Sequence, residues 1–472
     1  MFKERLISLI NNALENSPTK SQEKLIEILA DFVVNRENDK VIIVKGYAGT
    51  GKTSTISALV KTFRKLKIKS LLLAPTGRAA KVLTSYSGKV AYTIHKKIYR
   101  QKSSKDGFGK FVLEKNLHSN TYFIVDEASM ISNQAGDNSL FGSGRLLDDL
   151  IKYVYNNIGC KLILIGDTAQ LPPVGITNSP ALDVFNIESY GLKSGYIELT
   201  DVLRQSMNSG ILLNATQLRT NISESKIRLP KFKVSGFDDI INITGGELIE
   251  EISATYDKFG INETMIICRS NKNANKYNQG IRGQILSYEA ELVPGDILMV
   301  VKNNYYWFYE DDNIDFIANG DIVEVLKIHK YHNLYGFRFA DVTLRLTDYN
   351  IEFDAKIMLD TLSIDSAAMS NEDNKRLFYS VIEDFKEIKP KKKQYEKVRN
   401  SEFFNALQVK YAYAITCHKA QGGQWKTIFV DQGYVTENMI DIEYLRWLYT
   451  ALTRATKKLY LVNFPDRFFD DT

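Results

Sequence analysis

The chain has 472 residues and a net charge of +5, and these values already exclude several classes of protein. The length predicts two to four domains. The hydrophobic fraction of 44% and the charged fraction of 25% are those of an ordinary globular protein. The sequence has no low-complexity tract or repeat, which argues against disordered, collagen-like and solenoid proteins. The charge is too small for a histone-like polycation, so any contact with nucleic acid must come from a local surface.

The N-terminal segment 1–20 mixes charged residues with a short apolar run and predicts an amphipathic helix rather than a signal peptide. No run of 18 apolar residues occurs. The three cysteines, Cys160, Cys268 and Cys417, form no Cys-x-x-Cys pair, and the chain has only five histidines. A zinc site and a disulfide framework are therefore not expected, and we expect a soluble cytoplasmic protein.

The first half of the chain alternates short apolar runs with longer helical patterns, which is typical of a parallel sheet covered by helices. Four runs are continuously apolar, as strands buried on both faces should be: 41–44, 70–73, 122–125 and 162–165. Each run is followed at once by glycine-rich or polar residues. Because ligands bind beyond the carboxyl ends of the strands in an open α/β sheet, these four segments predict one site.

The first of these segments reads Gly-Tyr-Ala-Gly-Thr-Gly-Lys-Thr and precedes a helix that we expect to run to about Lys67. Glycines in this pattern let backbone amides surround phosphate oxygens at a helix N-terminus. In such a loop Lys52 reaches the β and γ phosphates of ATP, and Thr53 holds Mg²⁺. The segment contributes seven predicted cofactor-binding residues: Gly46, Ala48, Gly49, Thr50, Gly51, Lys52 and Thr53.

Carboxylate and amide side chains follow the third and fourth apolar runs. Asp126 is suited to bind the Mg²⁺ shell, and Glu127 is suited to accept a proton from the attacking water. The alternative to these two roles is that both carboxylates lie in a solvent-exposed loop and have no part in catalysis. Gln170 either contacts the γ-phosphate or caps a helix.

The second half repeats the α/β alternation without a second phosphate loop, so one nucleotide site serves two sheets. Strands are predicted at 265–267, 412–415, 428–430 and 459–462. Arg446, Thr450 and Arg454 share one stripe of a predicted helix. This stripe is either solvated, or it directs Arg454 across a cleft to the γ-phosphate, where an arginine is worth about 10³ to 10⁵ in rate.

Seven segments in order along the chain resemble the motifs of superfamily 1 helicases. They are residues 46–53, 74–80, 125–130, 166–174, 199–205, 416–422 and 449–455. The residues of these segments are similar to the motifs of the RecD-like and Dda-like branch, which is superfamily 1B. The resemblance implies an ATP- and Mg²⁺-dependent DNA helicase that moves 5′ to 3′ on single-stranded DNA. It also implies a functional monomer that acts at DNA forks, with replication or recombination proteins as candidate partners.

The resemblance further implies roles for individual residues. Gln22 would read the adenine, Arg204 and Arg454 would contact the γ-phosphate, and Gly422 would border the nucleotide. The predicted DNA track contains Pro75, Thr76, Arg78, Thr93, His95, Thr416, His418 and Lys419. The sequence departs from the family pattern at Ala420, where a serine is more usual, and in the long loop 132–144, which has no assigned role.

Two inserts interrupt the core. Residues 101–120 predict a hairpin with a turn at Asp106-Gly107. Its Phe108 or Phe111 either separates the strands of the duplex, as the pin of the family does, or packs the hairpin itself. Residues 290–405 are strand-rich and similar to the small SH3-type barrel of the family. Within this insert, Tyr305–Tyr309 either stacks on bases or joins the core, and the basic run Lys389–Arg399 is either solvated or grips DNA.

We therefore expect an α/β protein with two RecA-like lobes, each on a parallel sheet, plus a hairpin insert and an SH3-like barrel insert. The first lobe is predicted to span 1–205, and the second 206–289 and 406–472. Three alternatives to the helicase remain from the sequence. One is a translocase that displaces bound proteins with little unwinding, and another is a nucleotide-switched binding module without productive turnover. The third is a P-loop kinase, which would not need a second sheet with its own arginine and with His418 and Lys419.

Overall fold

The computed structural model describes residues 2–102, 110–134, 141–201, 208–307 and 316–470. The strands of the first lobe and its hairpin are β1 Lys40–Gly46, β2 Lys69–Ala74, β3 Ala91–Thr93, β4 Tyr99–Lys102, β5 Lys110–Leu113, β6 Thr121–Val125, β7 Lys161–Gly166 and β8 Lys193–Leu199. Six of them form a parallel sheet in the order β3-β2-β6-β7-β1-β8. The four predicted apolar runs are confirmed as β1, β2, β6 and β7, and their apolar residues are buried except Tyr122, which is partly buried.

Helices cover both faces of this sheet. They are α1 Phe2–Ala13, α2 Lys20–Val34, α3 Lys52–Lys65, α4 Gly77–Ser87, α5 Ile94–Ile98, α6 Leu146–Tyr155 and α7 Val184–Glu188. The predicted N-terminal helix over 1–20 is shorter than expected, because Thr19 and Gln22 form a capping box that starts a second helix at Lys20. The phosphate-loop helix ends at Lys65, close to the predicted end.

The second lobe is built on a five-stranded sheet. Its strands are β9 Ile240–Ile243, β10 Thr264–Cys268, β16 Ala414–Thr416, β17 Trp425–Asp431 and β18 Ala455–Val462. They pair in the order β16-β10-β17-β18-β9, and the sheet is parallel throughout. Its helices are α8 Gly210–Ser223, α9 Leu248–Phe259, α10 Asn271–Gly280, α13 Cys417–Ala420 and α14 Ile442–Leu452. The predicted strand at 412–415 begins two residues later than expected.

The insert of the second lobe is a closed five-stranded barrel with two helices outside it. The strands are β11 Ile297–Val300, β12 Ile322–Leu334, β13 Phe337–Leu346, β14 Ile351–Met358 and β15 Leu407–Tyr411, and the helices are α11 Asn371–Ile382 and α12 Lys391–Arg399. The predicted boundary at 405 is too early, because β15 pairs with β11 and β14 to close the barrel. The barrel core is continuous with the core of the second lobe.

The barrel also contacts helix α4 of the first lobe. The Lys81 ammonium lies 3.2 Å from the Asp348 carboxylate and donates to the Thr347 carbonyl. A Cβ added to Gly77 would lie 2.9 Å from Oδ1 of the buried Asp321, so the helix and the barrel approach closely here. In the part of the chain that is described, no helix has the length and hydropathy needed to cross a membrane.

Asp321 makes this contact sensitive to pH. Burial raises the pKa of its carboxyl group to about 7. This carboxyl therefore binds more protons in the folded than in the unfolded chain between about pH 4 and pH 7, and its stabilisation is lost as pH rises through 7. We expect Asp321→Asn to raise the free energy of unfolding by about 2 kcal/mol at pH 8, with little change at pH 4. Urea titrations at both pH values test this, with the exposed Asp257→Asn as control; equal effects at both pH values would contradict it.

Candidate functional site: a cleft between the two lobes

The phosphate loop connects β1 to α3 with the geometry that its glycines permit. Gly49 and Gly51 have φ values of 76° and 77°, in the left-handed region where a side chain is disfavoured. The Lys52 ammonium donates to the backbone carbonyls of Gly46 and Tyr47, at 2.5 Å and 2.9 Å. The loop therefore presents backbone amides and one flexible cation at the N-terminus of α3, which together suit a phosphate group.

The acidic pair lies directly after β6. Glu127 has a φ of 51°, and its N–H donates to the Asp126 carboxylate at 2.9 Å. Burial raises the pKa of the Asp126 carboxyl above its usual range, and the neighbouring Glu127 charge raises it further. A cation at this position would stabilise the ionised form, and the Thr53 hydroxyl and Asp126 carboxylate are the hard oxygen ligands that Mg²⁺ prefers.

Arg454 reaches this acidic pair from the second lobe. Its Nη1 lies 3.9 Å from Oε1 of Glu127, and the residue is 3% exposed. Its Nε donates to the Thr450 carbonyl and its Nη1 to the Gly423 carbonyl, which fix the guanidinium in the cleft. The reading of a solvated stripe is therefore wrong, since Thr450 is also buried and accepts from the Leu171 N–H of the first lobe at 2.9 Å. The predicted partner Arg204 lies outside the described residues.

Both lobes line a cleft of about 360 Å³, which we call the interlobe cleft. Its lining includes these predicted residues: Ala48, Gly49, Gly51, Lys52, Thr53, Asp126, Glu127, Gln170, Gly422 and Arg454. Gly46 and Thr50 lie in the same loop. The Gln170 side chain is 7% exposed and its Oε1 has no hydrogen-bond partner, so an acceptor is left unsatisfied at the cleft.

Gln22 is placed differently from its predicted role. Its buried side chain accepts from the Thr19 N–H and donates to Thr55 Oγ1 at 3.2 Å, so it caps α2 and ties that helix to α3. It borders a smaller neighbouring cavity of about 160 Å³ and is not among the residues that line the interlobe cleft. Adenine recognition by Gln22 stays a prediction.

Tyr449 of α14 is a contact that the sequence reasoning missed. Its hydroxyl accepts from the Ala48 N–H at 2.8 Å and donates to the Asp167 carboxylate at 2.6 Å. One buried hydroxyl thus joins the second lobe to the phosphate loop and to the segment after β7. The available signal was its position in the 449–455 motif, which was interpreted only through Thr450 and Arg454.

Removing this hydroxyl should weaken the contact between the lobes. We expect Tyr449→Phe to lower the free energy of unfolding by about 1 to 3 kcal/mol, because the Ala48 amide and the Asp167 carboxylate each lose a partner in a buried site. A urea titration measures the change. Tyr434→Phe is the matched control because Tyr434 is exposed, and an equal effect of the two substitutions would contradict the role given to Tyr449.

The predicted track residues lie in both lobes, and Arg78 of the first lobe contacts the second. Thr76 caps α4 and Thr93 caps α5, so these hydroxyls fix the helix starts. Arg78 lies over the Trp425 ring at 4.0 Å. Pro75 directly precedes the Thr76 cap, and Thr416 is the residue before α13, which carries His418 and Lys419.

Titratable groups of the track have altered pKa values. Burial lowers the pKa of Lys419 to about 8 and that of His95 to about 4, and it also lowers the pKa of His418. His95 is therefore neutral at pH 7 and packs its ring against Tyr99 and Phe141. Neutral imidazoles can donate and accept hydrogen bonds without attracting phosphate strongly.

Phe111 of the hairpin is not exposed as a strand-separating wedge requires. It is 5% exposed and lies 4.3 Å from Tyr305 and 4.8 Å from Phe141, measured between ring centroids. Tyr305 and Phe316 belong to the barrel insert, so these rings join the hairpin to the barrel. This burial disfavours Phe111 as the wedge and favours the alternative in which it packs, and its role in strand separation stays a prediction. Phe108 lies outside the described residues, as does the predicted turn at 106–107.

Comparison with known proteins agrees with this arrangement. Residues 20–231 match the model of an AAA domain, and residues 411–462 match that of a UvrD-like helicase C-terminal domain. The chain is similar to the ATP-dependent RecD2 DNA helicase of Deinococcus radiodurans, with 24% identity over 94% of this chain and 50% of the relative. It is also similar to the ATP-dependent DNA helicase dda of Enterobacteria phage T4, with 24% identity over 94% of this chain and 99% of the relative.

Among solved structures, the chain matches a Pif1 helicase from Bacteroides in complex with ADP-AlF3 and ssDNA, at 15% identity and a TM-score of 0.49. The match covers 97% of this chain and 95% of that one. The chain spans 38% of the length of a similar protein from Methanocaldococcus jannaschii and 50% of RecD2. It spans 98% of a similar protein from Acanthamoeba polyphaga mimivirus and 99% of dda. The chain thus carries a match to an AAA domain followed by a match to a UvrD-like helicase C-terminal domain, and over most of its length it is similar to the ATP-dependent DNA helicases RecD2 and dda.

Proposed function

We propose that this chain is an ATP-driven motor that moves 5′ to 3′ on single-stranded DNA and separates duplex DNA. The observation that carries the proposal is the approach of Arg454, from the second lobe, to Glu127 of the first lobe, inside the cleft that also holds Lys52. A triphosphate in this cleft would touch both lobes, so its binding and hydrolysis would change the contact between them. The relatives RecD2 and dda are named as ATP-dependent DNA helicases, which supports the ATP-driven helicase part of the proposal. The direction is proposed from the similarity of the motifs to the RecD-like and Dda-like branch.

The residues of the cleft divide the chemistry of hydrolysis. Lys52 and the loop amides hold the β and γ phosphates, and Gln170 contacts the γ-phosphate or the water. Glu127 accepts the proton of the water oxygen that attacks phosphorus, while the bond to the leaving ADP oxygen breaks. Arg454 stabilises the charge on the transferring phosphoryl oxygens. Thr53 and Asp126 would hold Mg²⁺, which supplies neutralisation of phosphate charge when bound.

The proposed track lies on the neighbouring surfaces of the two lobes. Thr76 and Arg78 come from the first lobe and His418 and Lys419 from the second, so a strand that contacts both sets would be gripped by two bodies. If the interlobe contact changes with each nucleotide cycle, the two grips alternate and the strand moves in one direction. A protein that binds single-stranded DNA without sequence preference does so through phosphate contacts and base stacking.

Unwinding of two partial duplexes tests the proposal, one with a 5′ tail and one with a 3′ tail. We expect the chain to open only the 5′-tailed substrate, and Lys52→Ala to abolish opening. Opening only from the 3′ tail would overturn the direction. ATP turnover with neither duplex opened would favour the translocase.

The translocase that displaces proteins with little unwinding remains a second candidate. The burial of Phe111 favours it, because this aromatic of the hairpin is not free to enter a duplex. Comparison of a plain duplex with a protein-blocked single strand distinguishes the candidates. A helicase opens the duplex at a rate comparable to that of clearing the block, whereas the translocase clears only the block.

A further inference from the structure

A second cavity, of about 410 Å³, lies beside the interlobe cleft, and its lining includes Lys45, Ser129, Phe185 and Arg446, which have no role in the proposed hydrolysis. We call it the second cavity; Lys45, Ser129, Gln170, Phe185, Tyr196 and Arg446 are the lining residues that matter here. Gln170 and Asp167 line both spaces, while Ser129 and Arg446 line only the second cavity. Its volume is in the range of small-molecule sites.

Two polar groups that line only the second cavity have no hydrogen-bond partner at one atom. They are the Ser129 hydroxyl and the Arg446 Nε. Ser129 is 1% exposed, so water does not satisfy its hydroxyl freely. Buried polar groups are nearly always paired in folded proteins, and two unsatisfied donors at one space therefore point to a ligand that accepts from them.

The charges of the second cavity favour an anion. Within the described residues, neither Lys45 nor Arg446 forms an ion pair with a carboxylate, and the pKa of Arg446 is lowered by burial alone. The two lining carboxylates are already engaged, since Asp167 accepts from Tyr449 and Asp183 accepts from the Asn186 N–H. The unused capacity is thus mostly that of cationic donors, which phosphate oxygens match best.

Aromatic rings border the opening of the second cavity. Phe185 is 85% exposed, which is unusual for a large apolar side chain without a partner, and the Tyr196 ring is also exposed under the Lys45 ammonium at 4.7 Å. An exposed aromatic face beside phosphate-binding donors is suited to stack on a planar base. The space exceeds what a bare phosphate fills.

We propose that the second cavity binds a phosphate ester that carries an aromatic base, as a free nucleotide or as the phosphorylated end of a DNA strand. Arg446 and Lys45 bind the phosphate, Ser129 donates to it, and Phe185 stacks on the base. This site is separate from the proposed motor chemistry, and its occupancy is measured without ATP turnover.

Equilibrium dialysis with labelled ADP tests the proposal. We expect the unchanged chain to bind two equivalents. Lys52→Ala should weaken the equivalent in the interlobe cleft, while Arg446→Gln should weaken the other by about ten- to a hundredfold, because a hydrogen bond to a charged group is lost. Arg467→Gln is the matched control. Arg446 donates through Nη1 to the Thr177 carbonyl and Arg467 donates to the Val435 carbonyl, but Arg467 lines neither cavity.

A second variant keeps the test valid if Arg446→Gln does not fold. Phe185→Ala removes an exposed ring and should weaken only the second equivalent, by about tenfold. Binding of a single equivalent by the unchanged chain would overturn the proposal, and so would a second equivalent that both substitutions leave unaltered. A failed unwinding assay would leave these binding results intact.

Competition for the second equivalent distinguishes the two sources of the ligand. The probes are dTMP and a short thymidine oligonucleotide, the latter with either a 5′-phosphate or a 5′-hydroxyl. Displacement by dTMP supports a free nucleotide, and displacement by the 5′-phosphorylated oligonucleotide alone supports a DNA end. If neither dTMP nor the phosphorylated oligonucleotide displaces ADP from the second cavity, the proposal that this cavity binds a base-carrying phosphate ester is overturned.

Discussion

Arg454→Gln is expected to lower the DNA-stimulated kcat for ATP hydrolysis by about 10³- to 10⁵-fold, the range found for arginines that complete a phosphoryl-transfer site. The guanidinium lies 3.9 Å from Glu127 and is fixed by two backbone carbonyls, so it is positioned before any substrate binds. Glutamine can occupy the same space but carries no charge for the transferring phosphoryl group. Steady-state hydrolysis with saturating single-stranded DNA measures the effect.

The division between kcat and KM distinguishes this role from a structural one. A contact made mainly in the transition state lowers kcat and kcat/KM together. Arg454→Lys should recover part of the loss because it restores the charge without the planar fork. Arg467→Gln serves again as the control arginine. A fall confined to ATP affinity, with kcat preserved, would contradict the role of Arg454 in catalysis.

Glu127→Gln is expected to lower the hydrolysis rate by about 10²- to 10⁴-fold, since the general base is lost. The side chain size is kept, and the N–H of residue 127 still donates to Asp126. Binding of a fluorescent ADP analogue should therefore remain close to that of the unchanged chain. This combination, slow hydrolysis with intact binding, is the diagnostic result, and a single-turnover experiment measures the chemical step directly.

Glu443→Gln on the exposed start of α14 is the matched control, because it removes one carboxylate from the lobe that carries Arg454, and Glu443 does not line the interlobe cleft. Equal rates for the two substitutions would show that Glu127 is not the base. Loss of ADP binding in Glu127→Gln would instead assign it to the support of Asp126 and the loop.

The sequence predicted those parts of the fold whose signals are local. Continuous apolar runs gave β1, β2, β6 and β7, and the glycine pattern of 46–53 gave the loop before α3. The site residues on the first lobe followed, because the carboxyl ends of parallel strands meet at one edge. The ordered motifs then placed Arg454 opposite them, and the cleft contains both.

Features that depend on packing between distant segments were missed. Nothing local shows that the Tyr449 hydroxyl bonds to Ala48, which lies 401 positions earlier. The boundary at 405 failed for the same reason, since β15 joins the barrel only through strands far away in the chain. Phe111 was interpreted from its place beside a turn, but its burial is decided by Tyr305 and Phe316 of another domain.

The rings of Phe111, Phe141, Tyr305 and Phe316 connect the hairpin of the first lobe to the barrel of the second. The interlobe cleft connects the same two halves elsewhere, through Arg454 and Tyr449. The contact of helix α4 with the barrel through Lys81 and Asp348 joins them as well. A change in the width of the cleft must therefore be accommodated at the aromatic contact and at the α4 contact. Contacts between aromatic rings tolerate small rotations, so the aromatic contact between the hairpin and the barrel is suited to act as a hinge when the lobes rotate relative to each other.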